Sequence, residues 1–402
     1  MAGMRARMGA RTIAESFNPR SNSLNFLRLT LALTVILSHS LTLGGTRQGG
    51  PAAEDILNST PGQIAVFGFF GISGFLIARS ADHNGFARYL WQRFLRIFPG
   101  YWMCLLLTGL VFGVIAWVHG QSHCGLSCYF KSSTGPFPYV YHNFLLRQNQ
   151  PDIAGTPTNV PLPGVWNGSL WTLQYEFACY VLVGVMAVFG LLRRRVLVVL
   201  FTAAVWVAAD YIVFTQTSLA PPEGFDEVRL LGLVPLFFVG ALLYLYRDRI
   251  PDSGWLAAGS AVIFVGSLWL PFGTGVTFSF FPTLNAAVVS SVFFAYPLIW
   301  LGIHLPLQRV GARNDYSYGA YVYAWPIQQL LATWNVERWG MPIFMVFSVG
   351  CTMPFAIASW WLIEKHALRL KKLGRRSAAE PKTTKTKPPG SREGQRGLTS
   401  RS

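Results

Sequence analysis

Charged side chains are scarce in this sequence. Only 12% of its 402 residues are Asp, Glu, Lys or Arg, whereas 52% are hydrophobic. A soluble domain carries about 25% charged residues, so this composition has too little charge to cover a soluble globule of the same length. The scarcity excludes an ordinary soluble domain and favours an integral membrane protein.

Cysteines are also few, five in the whole chain. Cys104, Cys179 and Cys351 lie in apolar runs, where a small buried thiol is ordinary. Cys124 and Cys128 stand in a long loop expected outside the membrane, where they would either form a local disulfide or remain free thiols. No spacing of cysteines and histidines is that of a strong zinc motif, so we predict no metal site.

The chain does have repeated apolar runs of roughly 20 residues, the length that a helix needs to cross a hydrocarbon core of about 30 Å. They predict an all-α polytopic membrane protein with about ten transmembrane helices. The predicted spans are 24–44, 62–80, 100–118, 170–191, 196–216, 229–247, 255–271, 285–304, 316–333 and 342–363.

Arginines are distributed unevenly between the predicted loops. If the N-terminus is cytoplasmic, the inner segments hold most of them, including the run at 193–195, and the outer loops hold few. Positive charge collects in cytoplasmic loops, so we predict that both termini are cytoplasmic. We expect a cytoplasmic leader at 1–21, a membrane domain at 22–368 and a basic, disordered cytoplasmic tail at 369–402. The net charge of +16 follows from this layout and does not indicate a nucleic-acid partner.

The inner loop 79–99 is basic and amphipathic, and we expect it to form a short surface helix before Pro99. Arg93 and Arg96 are three residues apart in this loop and would share one helix face. Guanidinium groups suit phosphates because they bond bidentately, which makes the pair a candidate anion site. Anchoring at the cytoplasmic surface is the alternative explanation for both arginines.

Arg28 and His39 stand at the two ends of the first apolar run, "RLTLALTVILSH". In a helix they would be roughly 16 Å apart along the axis, which is similar to the length of an extended pantetheine arm. A coenzyme A thioester whose phosphates rest on Arg28 would then present its acyl carbon near His39. A neutral imidazole would act as a general base or carry the acyl group itself. Alternatively, His39 only bonds a neighbouring helix.

Glu176 lies in "NGSLWTLQYEFACY", at the start of the fourth predicted span. Because that span runs from outside to inside, we expect Glu176 at a depth comparable to that of His39. A carboxylate there would orient the imidazole, as in catalytic triads, or bind a sugar hydroxyl. A water-facing interfacial carboxylate is the simpler alternative. Asp210, in the fifth predicted span, has the same roles open to it but is the weaker candidate.

Six motifs occur in a fixed order along the chain: Arg28 with ten residues before His39, "SGFLI" at 73–77, "RFLRIFP" at 93–99, "SLWTLQYEF" at 169–177, "YSYGAYVYAWPIQQ" at 316–329 and "LIEKHAL" at 362–368. This set resembles the acyltransferase family 3 membrane proteins, which O-acylate surface and secreted glycans and some small molecules. The resemblance implies ten transmembrane helices and a cytoplasmic acyl-CoA, usually acetyl-CoA, as the donor. It also implies that His39 paired with Arg28, the Arg93 and Arg96 motif, and Glu176 are functional residues.

The chain departs from the family pattern at Ala324, where related sequences often carry a histidine. This difference indicates a different acceptor pocket. Some family members also have an extracellular esterase-like domain, which we do not expect here. An acceptor would then meet the membrane domain directly or through a partner.

The favoured hypothesis is an integral membrane O-acyltransferase that moves an acyl group, acetyl by default, from cytoplasmic acyl-CoA to a hydroxyl of a surface or exported glycan. In it, Arg28, Arg93 and Arg96 bind acyl-CoA, and His39 and Glu176 are catalytic. The expected partners are the lipid bilayer, the glycan acceptor and polysaccharide-assembly proteins, and the expected location is a bacterial inner membrane. The alternative is a secondary transporter or flippase of a glycan or small solute, although the sequence has no inverted repeat.

Overall fold

The computed structural model describes most of the chain and leaves out both ends and four internal segments. Residues 1–10 of the predicted leader and most of the predicted tail therefore lie outside the described residues, as does the side chain of the candidate Asp210. The described ranges are 11–45, 61–120, 124–215, 225–267 and 291–372.

The regular secondary structure of the described ranges is entirely helical, with no β-strand among these residues. The helices are α1 (Ile13–Ser16), α2 (Leu24–Gly45), α3 (Pro61–Asp82), α4 (Phe86–Leu107, continuing to His119), α5 (Leu126–Lys131), α6 (Pro136–His142), α7 (Trp171–Val188), α8 (Arg195–Thr215), α9 (Phe225–Leu245), α10 (Gly254–Ser267), α11 (Ser291–His304), α12 (Ser317–Thr333) and α13 (Met341–Ser359, continuing to Arg369). The prediction of an all-α protein is confirmed for this part of the chain.

Among the described residues, five helical segments are long and apolar enough to cross a membrane, and four further apolar stretches are shorter. These apolar helices are typical of an integral membrane protein. The predicted count of about ten spans and the cytoplasmic position of both termini stay predictions. The five long segments are Leu24–Gly45, Pro61–Asp82, Phe86–His119, Trp171–Val188 and Met341–Arg369.

Helix α4 corrects the prediction for the inner loop. No separate surface helix ends at Pro99, because α4 begins at Phe86 and runs through this proline as part of a 34-residue helical segment. A proline inside a helix removes one backbone hydrogen bond and usually bends or breaks the helix. Arg93 and Arg96 therefore lie on a long helix that enters the bundle.

Contacts with α12 support α4 close to its proline. Tyr318 donates a hydrogen bond from its hydroxyl to the carbonyl of Ile97 at 2.6 Å. Its ring also packs on Gly100, where an added Cβ would lie 2.7 Å from Tyr318 Cε1. Packing by a neighbouring helix thus supports the backbone on both sides of Pro99.

Small residues in the stretch "FGFFGISGFLIARS" (67–80) let α3 and α9 approach at backbone distance. A Cβ on Gly74 would collide with the carbonyl oxygen of Phe237, and a Cβ on Gly240 would collide with that of Gly71. Small residues at such crossings are a common means of close helix packing in membranes.

The long segment between α4 and α7 carries Cys124 and Cys128, which the structure pairs as a disulfide with their Cα atoms 6.0 Å apart. Its last part packs into the bundle beside α12. Asn167 Nδ2 donates to the carbonyl of Val322 at 2.9 Å, and Tyr321 Oη donates to the carbonyl of Ser169 at 2.7 Å. Helix α7 therefore begins among the first turns of α12.

Candidate functional site

Arg28 and Arg96 converge on the carboxylate of Asp315, which lies just before α12. Arg28 Nη1 is 3.1 Å and Arg96 Nη2 is 2.5 Å from the same oxygen, Asp315 Oδ2. The other oxygen, Oδ1, accepts hydrogen bonds from the backbone N–H and the hydroxyl of Ser317. Arg96 Nη1 also lies 3.5 Å from Glu364 Oε2 on α13. One ionic cluster thus connects α2, α4, α12 and α13.

The charge state of Asp315 follows from its neighbours. Burial alone would raise the pKa of this carboxyl, but the charges of Arg96 and Arg28 and the hydrogen bonds from Ser317 lower its pKa from 3.8 to about 2. Asp315 is therefore a carboxylate at neutral pH, and it offsets part of the charge of the two arginines.

Arg93 is the arginine of this group that no carboxylate neutralises. It makes no ion pair with any described residue, its Nε is buried without a partner among them, and its guanidinium lies over the ring of Tyr180 at 5.9 Å. Burial and then repulsion by Arg93 and Arg96 lower the pKa of Lys371 from 10.5 to about 8, so its side chain is a cation at neutral pH. The cluster keeps an excess of positive charge, which suits a phosphate ligand.

Glu176 is held by hydroxyl groups. Its Oε1 accepts hydrogen bonds from Ser73 Oγ at 2.7 Å and from Tyr180 Oη at 2.5 Å. Tyr180 therefore contacts both Glu176 and Arg93. Glu176 and Arg28 line one small pocket, together with Thr172, Ser317, Tyr318 and Tyr321.

This placement corrects the prediction that Glu176 and His39 share a depth. No hydrogen bond joins the two side chains, and Glu176 faces the same cavity as Arg28. The reason is that α7 begins beside the first turns of α12, as the bond from Tyr321 to Ser169 shows. Counting residues from a membrane surface therefore misplaces Glu176.

His39 lies farther along α2, at the contact between α2 and α12. Its ring meets the ring of Trp325 edge-on, with the centroids 4.6 Å apart. Its Nδ1 is buried and has no hydrogen-bond partner among the described residues. The structure thus places Arg28 and His39 on one helix, as predicted, with Arg28 in the basic cluster and His39 outside it.

Sequence reasoning missed Asp315, Glu364, Ser73 and Tyr180 as members of the site. Ser73, Tyr180 and Glu364 lie in or beside motifs that the sequence already singled out. A usable signal was present, because a carboxylate in a membrane domain with few charges is expected to pair with a cation. Within the described ranges, no group of three His, Cys, Asp or Glu residues could hold a metal ion.

Two comparisons with known proteins match most of the chain. A model of an acyltransferase domain family, Acyl_transf_3, matches residues 21–361. An O-acetyl transferase of Shigella phage Sf6 is 30% identical over 362 residues, which cover 87% of this chain and 96% of the phage protein. No solved structure matches the chain significantly.

Proposed function

Because this chain belongs to acyltransferase family 3, we propose that it transfers an acyl group, acetyl by default, from cytoplasmic acyl-CoA to a hydroxyl of a surface or exported glycan. The observation that carries the proposal is on α2. An excess of positive charge surrounds Arg28 at one end of the helix, and His39, whose Nδ1 has no partner among the described residues, lies eleven residues farther on. Such an arrangement would hold a phosphate-bearing donor at one end and do chemistry at the other.

The three predicted donor-binding arginines would have different roles. Arg93 would bond a phosphate of acyl-CoA directly, since no carboxylate among the described residues neutralises it. Arg96 bonds Asp315 and Glu364, so its main task would be to hold the cluster together. Arg28 lines the cavity and would contact the donor while Asp315 fixes its position.

His39 would act on the acceptor hydroxyl. As the hydroxyl oxygen attacks the thioester carbonyl, the imidazole takes its proton, the carbon–sulfur bond breaks, and the proton passes to the departing CoA sulfur. In the second route that the residues allow, the imidazole nitrogen attacks the thioester carbonyl, the carbon–sulfur bond breaks, and the departing CoA sulfur takes the ring proton. The acceptor hydroxyl then attacks the acyl group on the histidine, the carbon–nitrogen bond breaks, and the hydroxyl proton returns to the imidazole. Both routes need a neutral imidazole with a free nitrogen, and the unpartnered Nδ1 supports this requirement.

Glu176 would contact the donor more than it would orient His39. Its carboxylate faces the cavity that Arg28 also lines, and Tyr180 connects it to Arg93. We propose that it accepts hydrogen bonds from the amide or hydroxyl groups of the pantetheine arm. A bacterial inner membrane and partners from polysaccharide assembly fit this reaction, and family membership speaks against the transporter alternative.

The test uses purified protein in detergent with radiolabelled acetyl-CoA. Wild type should bind acetyl-CoA in a titration and should consume the thioester, with label appearing on the protein or on an added glycan. His39→Ala should lower turnover by about 10²–10⁴-fold, the usual contribution of a general base, while His83→Ala, an exposed histidine, should not. Full turnover by folded His39→Ala would contradict the catalytic role of His39. Failure of folded wild type to bind acetyl-CoA would contradict acyl-CoA as the donor.

A further inference from the structure

Residues 126–145, which contain α5 and α6, pack along the middle of α4. This α5–α6 segment belongs to the loop that the sequence predicts outside the membrane. Tyr101 Oη donates a hydrogen bond to the carbonyl of Asn143 at 2.5 Å, and Trp102 Nε1 donates to the carbonyl of Phe144 at 3.0 Å. Both donors lie in the predicted span 100–118, so the segment contacts α4 within the stretch that is expected to cross the membrane.

A second contact lies farther along α4. Tyr129 Oη donates to the carbonyl of Gly109 at 2.5 Å, within the short π-helical stretch Thr108–Phe112. From Trp102 to His119, where the helical segment ends, the axis rises about 26 Å, and a hydrocarbon core is about 30 Å thick. The contact at Trp102 therefore lies far below the end of α4.

The side chains that α4 leaves exposed over this stretch are apolar. Between residues 102 and 118 they are Leu106, Leu110, Val111 and Val118. Because the α5–α6 segment packs on the same part of α4, a position of the segment in water would expose this apolar face to water as well. Apolar surface is stabilised by removal from water, so both the face and the segment are more stable in lipid.

The α5–α6 segment itself also directs large apolar side chains outward. Phe137 is 63% exposed, Tyr141 78% and Leu145 75%, and no Asp, Glu, Lys or Arg occurs between Phe137 and Leu145. The ring of Phe144 stacks on that of Trp102, with the centroids 4.5 Å apart. The outward surface of the segment is therefore continuous with the exposed apolar face of α4.

The irregular backbone at the end of the segment is hydrogen-bonded by two buried amides. Asn143 Oδ1 accepts the backbone N–H groups of Asn149 and Gln150, and Asn143 Nδ2 donates to the carbonyl of Gln150. Gln150 Nε2 donates in turn to the carbonyls of Thr134 and Asp152. Irregular backbone is tolerated at membrane depth only where the protein itself supplies such partners, and these bonds meet that condition.

We propose that the α5–α6 segment is embedded in the bilayer and that its outward face, formed by Phe137, Tyr141 and Leu145, contacts the acyl chains of lipids. The occupant is lipid because this face continues the apolar face of α4, which needs the same surroundings. The proposal goes beyond the acyl transfer reaction and does not depend on it. It also changes the expected topology, since a loop predicted in water becomes part of the lipid-facing surface.

Nitroxide spin labels on single introduced cysteines test the proposal. Tyr141→Cys and Leu145→Cys place a label on the outward face, where both side chains are exposed and the fold should tolerate the change. Val207→Cys is the control for lipid, because Val207 is 69% exposed on the apolar helix α8. Asp248→Cys is the control for water, because Asp248 lies in an exposed surface ion pair.

The native cysteines allow this labelling once Cys351 is replaced by serine in every variant. Cys104 and Cys179 are buried, and Cys124 and Cys128 are paired as a disulfide, which non-reducing conditions preserve. Label that the Cys351→Ser protein takes up without an introduced cysteine is subtracted.

The labelled proteins are reconstituted into phosphatidylcholine vesicles, and electron paramagnetic resonance measures how often each label collides with two relaxing agents. Molecular oxygen concentrates in lipid, whereas nickel(II) ethylenediaminediacetate stays in water. The ratio of oxygen to nickel collisions at positions 141 and 145 should match that at position 207. It should exceed the ratio at position 248 several-fold.

Two results would overturn the proposal. Frequent nickel collisions at positions 141 and 145, as at position 248, would place the segment in water. Rare collisions with both agents at positions 141 and 145 would show that another protein surface covers this face. Phe137→Cys, on the same face, serves as the replacement if one of the two variants does not fold.

Discussion

Asp315 Oδ2 accepts a hydrogen bond from Arg96 Nη2 at 2.5 Å. The same oxygen accepts a hydrogen bond from Arg28, which comes from a different helix. The carboxylate thereby sets the distance between two guanidinium groups that sequence motifs nearly seventy residues apart provide. Because all three side chains are largely buried, the loss of one leaves charge without compensation.

We expect Asp315→Asn to destabilise the folded protein by about 3 kcal/mol, since removing one partner of a buried ion pair costs about 3–5 kcal/mol and Glu364 still compensates part of the charge. Thermal melts in detergent measure this effect. Asp248→Asn is the control, because Asp248 pairs with Arg195 at the surface. The melting temperature of this variant should equal that of wild type. Equal melting temperatures for wild type and Asp315→Asn would contradict the structural role.

The pKa of Asp315 predicts a pH dependence of stability. Its pKa is about 2 in the folded protein and 3.8 in the absence of these neighbours. Because the folded-state pKa is the lower one, the carboxylate stabilises the fold above about pH 4, and this contribution, on the order of 2 kcal/mol, is lost as the pH falls towards 2. Melting temperatures between pH 5 and pH 2.5 should fall less steeply in Asp315→Asn than in wild type. Parallel curves would contradict the assignment.

Arg93 and Arg96 should behave differently when each is replaced by alanine. Arg93→Ala should weaken acyl-CoA binding and leave stability nearly unchanged, because charge-assisted hydrogen bonds are worth about 1.5–3 kcal/mol and Arg93 has no ion-pair partner among the described residues. Arg96→Ala should mainly lower stability, since it leaves Asp315 and Glu364 buried and facing each other without this cation.

Titration of acetyl-CoA and a thermal melt on the same preparations separate these two effects. Arg195→Ala, which breaks a surface pair, should leave both measurements unchanged. An unchanged acetyl-CoA Kd in Arg93→Ala would return that residue to membrane anchoring.

The contrast between these two arginines shows what one sequence can and cannot predict. Helix limits follow from apolar length, so the predicted span 24–44 and the helix Leu24–Gly45 nearly coincide. The start of α4 was predicted fourteen residues too late, because a proline predicts a break only where no neighbour supports the backbone. The partner of Arg96 lies 219 residues away in the chain, and no local periodicity reveals such a contact.

Glu176→Gln should weaken the binding of the acyl-CoA donor and leave the ionisation of His39 unchanged. The carboxylate accepts hydrogen bonds from Ser73 and Tyr180 and faces the cavity shared with Arg28. Both bonds end on Oε1, and an amide oxygen can still accept both, so the fold should persist, but the negative charge towards the donor is lost. We expect a higher KM for acetyl-CoA and an unchanged pH profile of kcat. A shifted pH profile with an unchanged acetyl-CoA KM would instead support the role first predicted, orientation of His39.

Lys371 should make acyl-CoA binding sensitive to pH near 8. Burial and the charges of Arg93 and Arg96 lower its pKa from 10.5 to about 8, so it is a cation at pH 7 and mostly neutral at pH 9. A bound phosphate favours the charged form, and affinity should therefore fall as the pH rises through 8. Acetyl-CoA titrations at pH 7 and pH 9 measure the change.

Two variants of Lys371 test this assignment. Lys371→Met should bind acetyl-CoA more weakly at pH 7 and lose most of the pH dependence. Lys371→Arg should bind tightly at both pH values because arginine keeps its charge. The same pH dependence in Lys371→Met as in wild type would place the titrating group elsewhere.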